Sequence, residues 1–317
     1  MKKYWKIILI TLFLITLTSY YLLNYAIKNI LAYSPIRPAK CTNEALIKYN
    51  NGIYSPDQLN LIYEDFNIIV EDTIKLNGWF IFSDSSISKG TIFLLHGIAS
   101  CKSTMLHTAK LLTTSGFNCV VYDSRSNGES GGINCTFGYY EKRDLSAYID
   151  STLNRYPNSA PYGAIGNSLG AAVIIQTMAD DKRIICGVAQ SSFANLRDVI
   201  HDYFSRMFFL RINWIPDKAL IYSEQIANFK IDSVSPAMSA KKITQPIMIV
   251  HGLNDEHISF KYGKKIFDNL TSRNKKWYPI PDANHNNIAQ VGGAQLDSSI
   301  IEFFKEHLKT KSFDFSP

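Results

Sequence analysis

Once its first 40 residues are set aside, the sequence has no excess charge of either sign. Its formal net charge is +6, from 33 basic and 27 acidic residues. The six basic residues that precede the first acidic residue, Glu44, are Lys2, Lys3, Lys6, Lys28, Arg37 and Lys40. Residues 41–317 therefore carry 27 basic against 27 acidic residues. Because a nucleic-acid-binding domain needs a basic surface, this balance argues against nucleic acid as a partner.

Cysteine is scarce, and its spacing is not that of a metal site. The five cysteines are odd in number and include no closely spaced pair: Cys41, Cys101, Cys119, Cys135 and Cys186. Cys119 and Cys186 lie in apolar runs typical of strands, which predicts buried thiols. Cys101 and Cys135 lie in loops, and the sequence leaves any disulfide open. Neither a metal nor an organic cofactor is expected.

Charge is also missing from the run Ile7–Leu23. Seventeen helical residues at ~1.5 Å each extend roughly 25 Å, and the apolar pattern continues to residue 32 with only Lys28 charged. A cleaved signal peptide is the alternative, but no small-x-small cleavage site follows the apolar core. We therefore predict a membrane anchor at 1–32, in contact with the bilayer through residues 7–32. The basic residues before the run favour an extracytoplasmic position for the rest of the chain.

A linker is predicted at 33–60, because this stretch is polar and contains Pro35, Pro38 and Pro56. From residue 61 to 317, strands alternate with amphipathic helices, which predicts one α/β domain with a mostly parallel sheet. The alternation is interrupted at about 193–241 by a segment rich in aromatic residues, which we predict to be a helical lid.

The predicted elements have the following bounds. The strands are Phe66–Val70, Ile74–Phe82, Thr91–His96, Asn118–Tyr122, Gly163–Gly166, Ile185–Gln190, Pro246–Val250 and Trp277–Ile280. The first two are expected to form a hairpin around residues 71–73. The helices are Met105–Thr114, Glu141–Tyr156, Leu169–Met178, Lys261–Leu270 and Gln295–Leu308. Ligands of such a sheet are expected beyond the carboxyl ends of its strands.

The pentapeptide Gly166-Asn167-Ser168-Leu169-Gly170 lies between a short apolar strand and a helix. This G-x-S-x-G pattern displays a nucleophilic serine on a sharp turn, where Gly166 and Gly170 leave room for strand and helix to approach. Ser168 is the predicted nucleophile. A structural turn serine is the plainer alternative, so the interpretation depends on finding its partners elsewhere in the chain.

A serine hydroxyl is a weak nucleophile and needs a histidine base that is oriented by an acid. Asp255 follows the strand that ends at Val250, and His285 follows the strand that ends at Ile280. We therefore predict Asp255 as the acid, with Glu256 and Asp232 as rivals. His285 is the predicted base, and His257 is interpreted as a solvated loop residue.

Two backbone amides are needed to stabilise the oxyanion. The amide of Leu169 is fixed beside the nucleophile, and the second is predicted to be that of Ile98, in the loop after the strand Thr91–His96. Gly97 permits the sharp turn that this loop requires. His96 is expected to support the loop by hydrogen bonding.

These motifs resemble the α/β-hydrolase superfamily, and within it the membrane-associated bacterial branch related to serine aminopeptidases and monoacylglycerol lipases. The order Ser168, Asp255, His285 is the order of that superfamily. Residues 123–130 are similar to its D-x-R-x-x-G-x-S loop, 76–80 to its early strand and 139–144 to a helix entrance. The resemblance extends over residues 54–308. Two departures are Asp72-Thr73 in place of an Asp-Gly turn and Ser126 in place of a second glycine. Asp123 and Arg125 are interpreted as a buried ion pair that braces the loop.

The resemblance implies hydrolysis of an ester, thioester or amide through an acyl-enzyme. An esterase or lipase acting on an acylated or small-molecule substrate is the preferred hypothesis. A peptidase or a protein thioesterase with the same triad is an alternative, and so is a membrane-tethered binding protein that has lost activity. The physiological substrate and the oligomeric state are left open by the sequence.

Overall fold

The computed structural model describes residues 2–42, 46–47, 50–71 and 73–309. Its strands are β1 Tyr63–Asp65, β2 Ile68–Val70, β3 Ile74–Leu76, β4 Gly78–Ile81, β5 Thr91–Leu95, β6 Asn118–Tyr122, β7 Tyr162–Asn167, β8 Ile184–Gln190, β9 Ile247–Gly252 and β10 Lys275–Ile280. Its helices are α1 Lys2–Ala26, α2 Leu106–Thr114, α3 Glu141–Arg155, α4 Leu169–Asp180, α5 Leu196–Phe208, α6 Trp214–Ala227, α7 Pro236–Ser239, α8 Phe260–Asn269 and α9 Ile288–His307.

Eight strands form one sheet in the order β1-β4-β6-β5-β7-β8-β9-β10. The pairs from β6 to β10 are parallel, and β1 and β4 join antiparallel at one edge. The prediction of a mostly parallel sheet is therefore confirmed. Buried apolar side chains cover both faces of the sheet, and every residue of β5 and β6 is buried. This pattern is expected where helices pack on both sides of parallel strands.

The second predicted strand, Ile74–Phe82, is wrong as a single element. It divides at Asn77 into β3, which pairs with β2 in a separate hairpin, and β4, which joins the main sheet. The backbone amide of Asn77 donates to Ser130 Oγ at 2.9 Å instead of to a neighbouring strand. The chain can therefore change sheets at this residue without burying an unpaired amide. Asp72, in the predicted hairpin turn, lies outside the described residues.

The segment 193–241 connects β8 to β9 and is named the insertion below. It contains α5, α6, α7 and two short 3₁₀ turns, in agreement with its predicted helical character. Arg197 of α5 binds Asp217 of α6 at 2.7 Å and Asp232 at 2.9 Å. These ion pairs hold the two long helices of the insertion together at one end.

The N-terminal helix α1 continues as a π-helical turn, Ile27–Leu31. Residues 4–31 are apolar and long enough to cross a membrane, and the most apolar stretch is not buried by the rest of the protein. An anchor and a signal sequence share these properties. The end of this helix contacts the domain, where Ile27 is buried against α6.

The stretch predicted as a linker is fixed to the domain at several of its described residues. The side chain of Ile36 is buried, and its carbonyl accepts from the backbone amide of Cys135 at 2.7 Å. Cys41 forms a disulfide with Cys101. Asn50 donates to the carbonyl of Ser103 at 3.0 Å. These contacts fix the described part of residues 33–60, named the strap below, to the domain.

Candidate active site

Ser168 lies at the turn between β7 and α4, and its backbone has φ 53° and ψ −110°. A serine rarely adopts a positive φ, so the turn is strained and needs support from its surroundings. One such support is the Ser168 amide, which donates to the carbonyl of Gln190 in β8 at 2.8 Å. The turn directs the hydroxyl beyond the carboxyl end of the sheet, as a nucleophile elbow requires.

Gly166 and Gly170 are required by close backbone contacts. A Cβ atom on Gly170 would lie 2.3 Å from the carbonyl oxygen of Leu95, and one on Gly166 would lie 2.5 Å from the carbonyl carbon of Gly170. The turn, α4 and the end of β5 can therefore meet only because both residues lack a side chain. The spacing of the pentapeptide follows from this contact.

His285 lies between Ser168 and Asp255. Its Nδ1 is 2.8 Å from Asp255 Oδ2, and its Nε2 is 3.1 Å from Ser168 Oγ. A carboxylate only accepts, so Nδ1 carries a proton, and in that tautomer Nε2 can accept the Ser168 hydroxyl. The structure thus brings together three side chains predicted from turns that lie far apart in the sequence.

Asp255 is held in its ionised form by several donors. Its Oδ1 accepts the backbone amides of His257 at 2.9 Å and Ile258 at 2.8 Å. Burial favours the neutral carboxyl group, but the proximity of His251 and the hydrogen bonds from His285 and the Ile258 amide outweigh it and keep the Asp255 pKa below its ordinary value. The ionised carboxylate therefore fixes the orientation of His285.

His251 was not singled out by the sequence analysis. It lies in β9 and is fully buried, with Nε2 at 2.8 Å from the carbonyl of Ile258 and 3.5 Å from Asp255 Oδ2. A polar residue in an otherwise apolar strand, four residues before the acid, was the available signal. His251 braces the loop that carries Asp255.

The loop predicted to supply an oxyanion amide lies directly beside Ser168. A Cβ on Gly97 would be 3.5 Å from Ser168 Cβ. His96 is fully buried, its Nδ1 donates to the Gly97 carbonyl at 2.7 Å, and its Nε2 accepts the Ser124 amide at 3.0 Å. These partners require a neutral imidazole, and burial correspondingly lowers the pKa of His96.

Ile98 and Leu169 both line a cavity with Ser168. Leu169 is the first residue of α4, where a helix leaves its backbone amides without intrahelical acceptors. The positive end of the helix dipole also points at this position. An anion formed next to Ser168 would therefore meet favourable partial charges.

The rival acids occupy other positions. The Asp232 carboxylate pairs with Arg197 in the insertion, whereas Glu256 is exposed. His257 is exposed as predicted, but its ring centroid lies 5.6 Å from that of His285, and it lines the same cleft. The sequence analysis thus missed that His257 belongs to the surface of the site.

The predicted ion pair between Asp123 and Arg125 is wrong, because each residue has a different partner. Asp123 accepts from the backbone amide of Lys102 at 2.6 Å and from its ammonium at 3.0 Å. Arg125 makes a two-pronged contact with Asp144 at 2.7 and 2.6 Å. Both pairs still brace the loop, and that of Asp123 also ties it to the segment that follows Ile98.

Two chemically different spaces meet at Ser168. One is apolar and extends under the insertion, with Phe137, Val199 and Phe204 in its walls. The other is a polar cleft that includes Thr104 and Gln190 as well as His257 and His285. Such an arrangement suits a substrate with one apolar and one polar part on either side of the reacting bond.

No group of three or more His, Cys, Asp or Glu side chains within the described residues could hold a metal ion.

Comparison with known proteins identifies similarity to hydrolases. A family model described as serine aminopeptidase S33 matches residues 86–235. An uncharacterized protein of Bacillus subtilis, YqkD, is 24% identical over 188 residues, which span 56% of this chain and 59% of that protein. An uncharacterized membrane protein of Saccharomyces cerevisiae is 23% identical over 245 residues, or 76% of this chain and 80% of that protein.

Among solved structures, an esterase of Pyrococcus furiosus superposes with a TM-score of 0.71 and 25% identity. The superposition covers 87% of this chain and 99% of the esterase. The similarity therefore extends well beyond residues 86–235.

Proposed function

We propose, from the premise that this chain is a member of the α/β-hydrolase superfamily, that it is a serine hydrolase with Ser168, His285 and Asp255 as its catalytic triad. The observation that carries the proposal is the position of His285, within hydrogen-bonding distance of both Ser168 Oγ and the Asp255 carboxylate. Nucleophile, base and orienting acid are thus in one continuous hydrogen-bonded line, as acyl transfer requires.

In the proposed reaction, Ser168 Oγ attacks the acyl carbonyl carbon while His285 Nε2 takes the hydroxyl proton. The amides of Ile98 and Leu169 stabilise the oxyanion, and the ionised Asp255 stabilises the imidazolium. His285 then gives its proton to the leaving group as the tetrahedral intermediate collapses to an acyl-enzyme. Water, deprotonated by His285, releases the acid and restores the Ser168 hydroxyl.

An ester of a carboxylic acid is the substrate class that we favour. The apolar space beside Ser168 fits an acyl chain, and the polar cleft beside His285 fits an alcohol. The similarity to the Pyrococcus esterase supports the same choice.

We also propose that residues 1–32 anchor the enzyme in a membrane, with residues 61–317 outside the cytoplasm. The apolar helix and the basic residues before it support the anchor and its orientation. The Cys41–Cys101 disulfide adds an independent argument, since disulfides persist mainly in oxidising compartments.

Labelling with a fluorophosphonate probe tests the proposed nucleophile. The full-length protein in detergent is expected to react, and Ser168→Ala is expected to lose labelling and the turnover of short-chain esters. Ser191→Ala is a matched control, because Ser191 lines the same cleft without contacting His285. Equal labelling of wild type and Ser168→Ala would reject the triad, whereas folded wild type without labelling or turnover would favour the non-catalytic alternative.

A peptidase is the second candidate, and the description of the matching family model favours it. The same triad cleaves amides, so the geometry is equally compatible with both. Aminoacyl p-nitroanilides and the matching p-nitrophenyl esters distinguish the two: an esterase is expected to turn over only the esters at a substantial rate. A thioester panel tests the third alternative in the same way.

A further inference from the structure

The apolar space beside Ser168 has a wall that comes from outside the hydrolase domain. Leu31, the last residue of the apolar N-terminal helix, lines this space together with Ser34, Pro35 and residues of the insertion. The proposed acyl pocket is therefore bounded by the end of the proposed membrane anchor.

This wall is fixed in place by contacts on both sides of Leu31. Before it, Ile27 is buried against α6, and Lys218 of α6 donates to Asn24. After it, Ser223 Oγ of α6 donates to the Ala32 carbonyl at 2.6 Å.

The strap then holds the downstream end of the wall. Ile36 is buried, and the Cys41–Cys101 disulfide joins the strap to the segment that follows the loop of Ile98. Ile98 lines the same space as Leu31 and Ser168. The disulfide therefore helps to fix the position of the wall relative to Ser168.

The insertion exposes large apolar side chains at the rim of this pocket. Met207 and Phe208 line the pocket and are 64% and 43% exposed. Phe209, next in the chain, is 93% exposed, and Trp214 at the start of α6 is 55% exposed. Contiguous exposed side chains of this size are typical of a surface that meets a membrane or a partner. A bilayer is the occupant that we favour, because α6 packs against the end of the helix that would cross it.

We infer that the end of the membrane anchor is part of the substrate site, and that the enzyme takes the long acyl chain of an ester directly from the bilayer that holds it. The inference rests on the proposed serine hydrolase activity. The acyl chain would enter along Met207 and Phe208, pass Leu31 and Pro35, and present its carbonyl to Ser168. Its polar alcohol would lie in the cleft beside His285.

The test uses full-length protein reconstituted in phosphatidylcholine vesicles, with 4-methylumbelliferyl butyrate and 4-methylumbelliferyl palmitate as probes. Leu31→Trp should fill the pocket and lower the ratio of palmitate to butyrate kcat/KM at least tenfold. Ile30→Trp is the matched control, because Ile30 is 60% exposed and lies outside the pocket lining. It should leave both values within about twofold.

A milder variant, Leu31→Ala, decides the result if Leu31→Trp loses both activities through misfolding. It should change the ratio of palmitate to butyrate turnover at least threefold, whereas Ile30→Ala should not. If neither Leu31 variant alters the ratio, the anchor is not part of the site. If wild type fails to turn over the butyrate, the proposed function fails instead, so the two failures are distinguishable.

Delivery of the substrate from the enzyme's own bilayer is tested by changing which vesicles contain the ester. Palmitate ester in the same vesicles as the enzyme should be hydrolysed at least tenfold faster than the same ester in separate vesicles. Equal initial rates would overturn delivery from the enzyme's own bilayer.

Discussion

The carboxyl edge of the sheet and the insertion meet at Ser168 but are stabilised by different kinds of interaction. At the sheet edge, β7, β9 and β10 are followed by turns that carry Ser168, Asp255 and His285, respectively. The His285 ring lies 2.8 Å from the Asp255 carboxylate and 3.1 Å from Ser168 Oγ. In the insertion, α5 and α6 are joined by partly exposed ion pairs, and large apolar side chains are left uncovered. The comparison indicates that backbone geometry positions the proposed triad, whereas adaptable side-chain packing forms the proposed substrate surface.

The two regions also differ in what a substitution can disturb. A Cβ on Gly170 would collide with a strand carbonyl that has no room to move, whereas Phe209 is almost wholly exposed. Substitutions at the sheet edge are therefore expected to abolish chemistry, and those in the insertion to alter selectivity.

The largest effect that tests this contrast is expected from His285→Ala. Loss of the base should reduce kcat for a short-chain ester by about 10⁶-fold, as for members of other serine triads that act as a unit. The measurement is steady-state turnover of 4-nitrophenyl butyrate by the full-length protein.

His257→Ala is the matched control, since its ring lies 5.6 Å from that of His285 and shares the cleft. It should keep kcat within about tenfold of wild type. If the two variants lost activity equally, His285 would not be distinguished as the base.

Asp255→Asn should have the next largest effect, with kcat lowered by about 10⁴-fold because an amide does not enforce the same tautomer of His285. The folded-state pKa of Asp255 is depressed, so its contribution to stability is present above its ordinary value of 3.8 and is lost as pH falls through the folded value. Asp255→Asn should therefore be less stable than wild type at pH 7, and the difference in unfolding free energy should shrink below about pH 4.

Urea denaturation at pH 7 and at pH 3 measures that difference, with Asp282→Asn as an exposed control from the turn that leads to His285. A difference between wild type and Asp255→Asn that grew on acidification would contradict the proposed ionisation. Unchanged ester turnover by Asp255→Asn would contradict its role as the orienting acid.

The sequence was sufficient for the sheet edge because its motifs are local. Gly166 and Gly170 mark the tight backbone contacts of the elbow, and Asp255 and His285 each follow an apolar strand, so their positions could be predicted from spacing. The alternation of strands and helices likewise predicted the parallel sheet, and only Asn77 divides a predicted strand, because its amide is paired by a distant serine.

The sequence was insufficient where partners come from distant segments without a repeating pattern. Nothing near Cys41 identifies Cys101 as its partner, and nothing near Arg125 favours Asp144 over Asp123. The contact of Leu31 with the pocket depends on how α6 packs against the N-terminal helix, which is a property of the folded surface. The sequence therefore predicted the bounds of the insertion and of the stretch before the domain, but not that their residues line the pocket beside Ser168.

The smallest effect is expected from Arg197→Met, which removes the ion pairs between α5, α6 and Asp232. These pairs are partly exposed, so the loss of unfolding free energy should be about 1 kcal/mol or less. Turnover of 4-nitrophenyl butyrate should stay within about twofold, while the ratio of palmitate to butyrate turnover should change more than it does in Arg211→Met, an exposed control in the same insertion. If Arg197→Met instead reduced butyrate turnover as strongly as Asp255→Asn, the insertion would be setting the reactive geometry as well as the substrate surface, and the contrast between the two regions would fail.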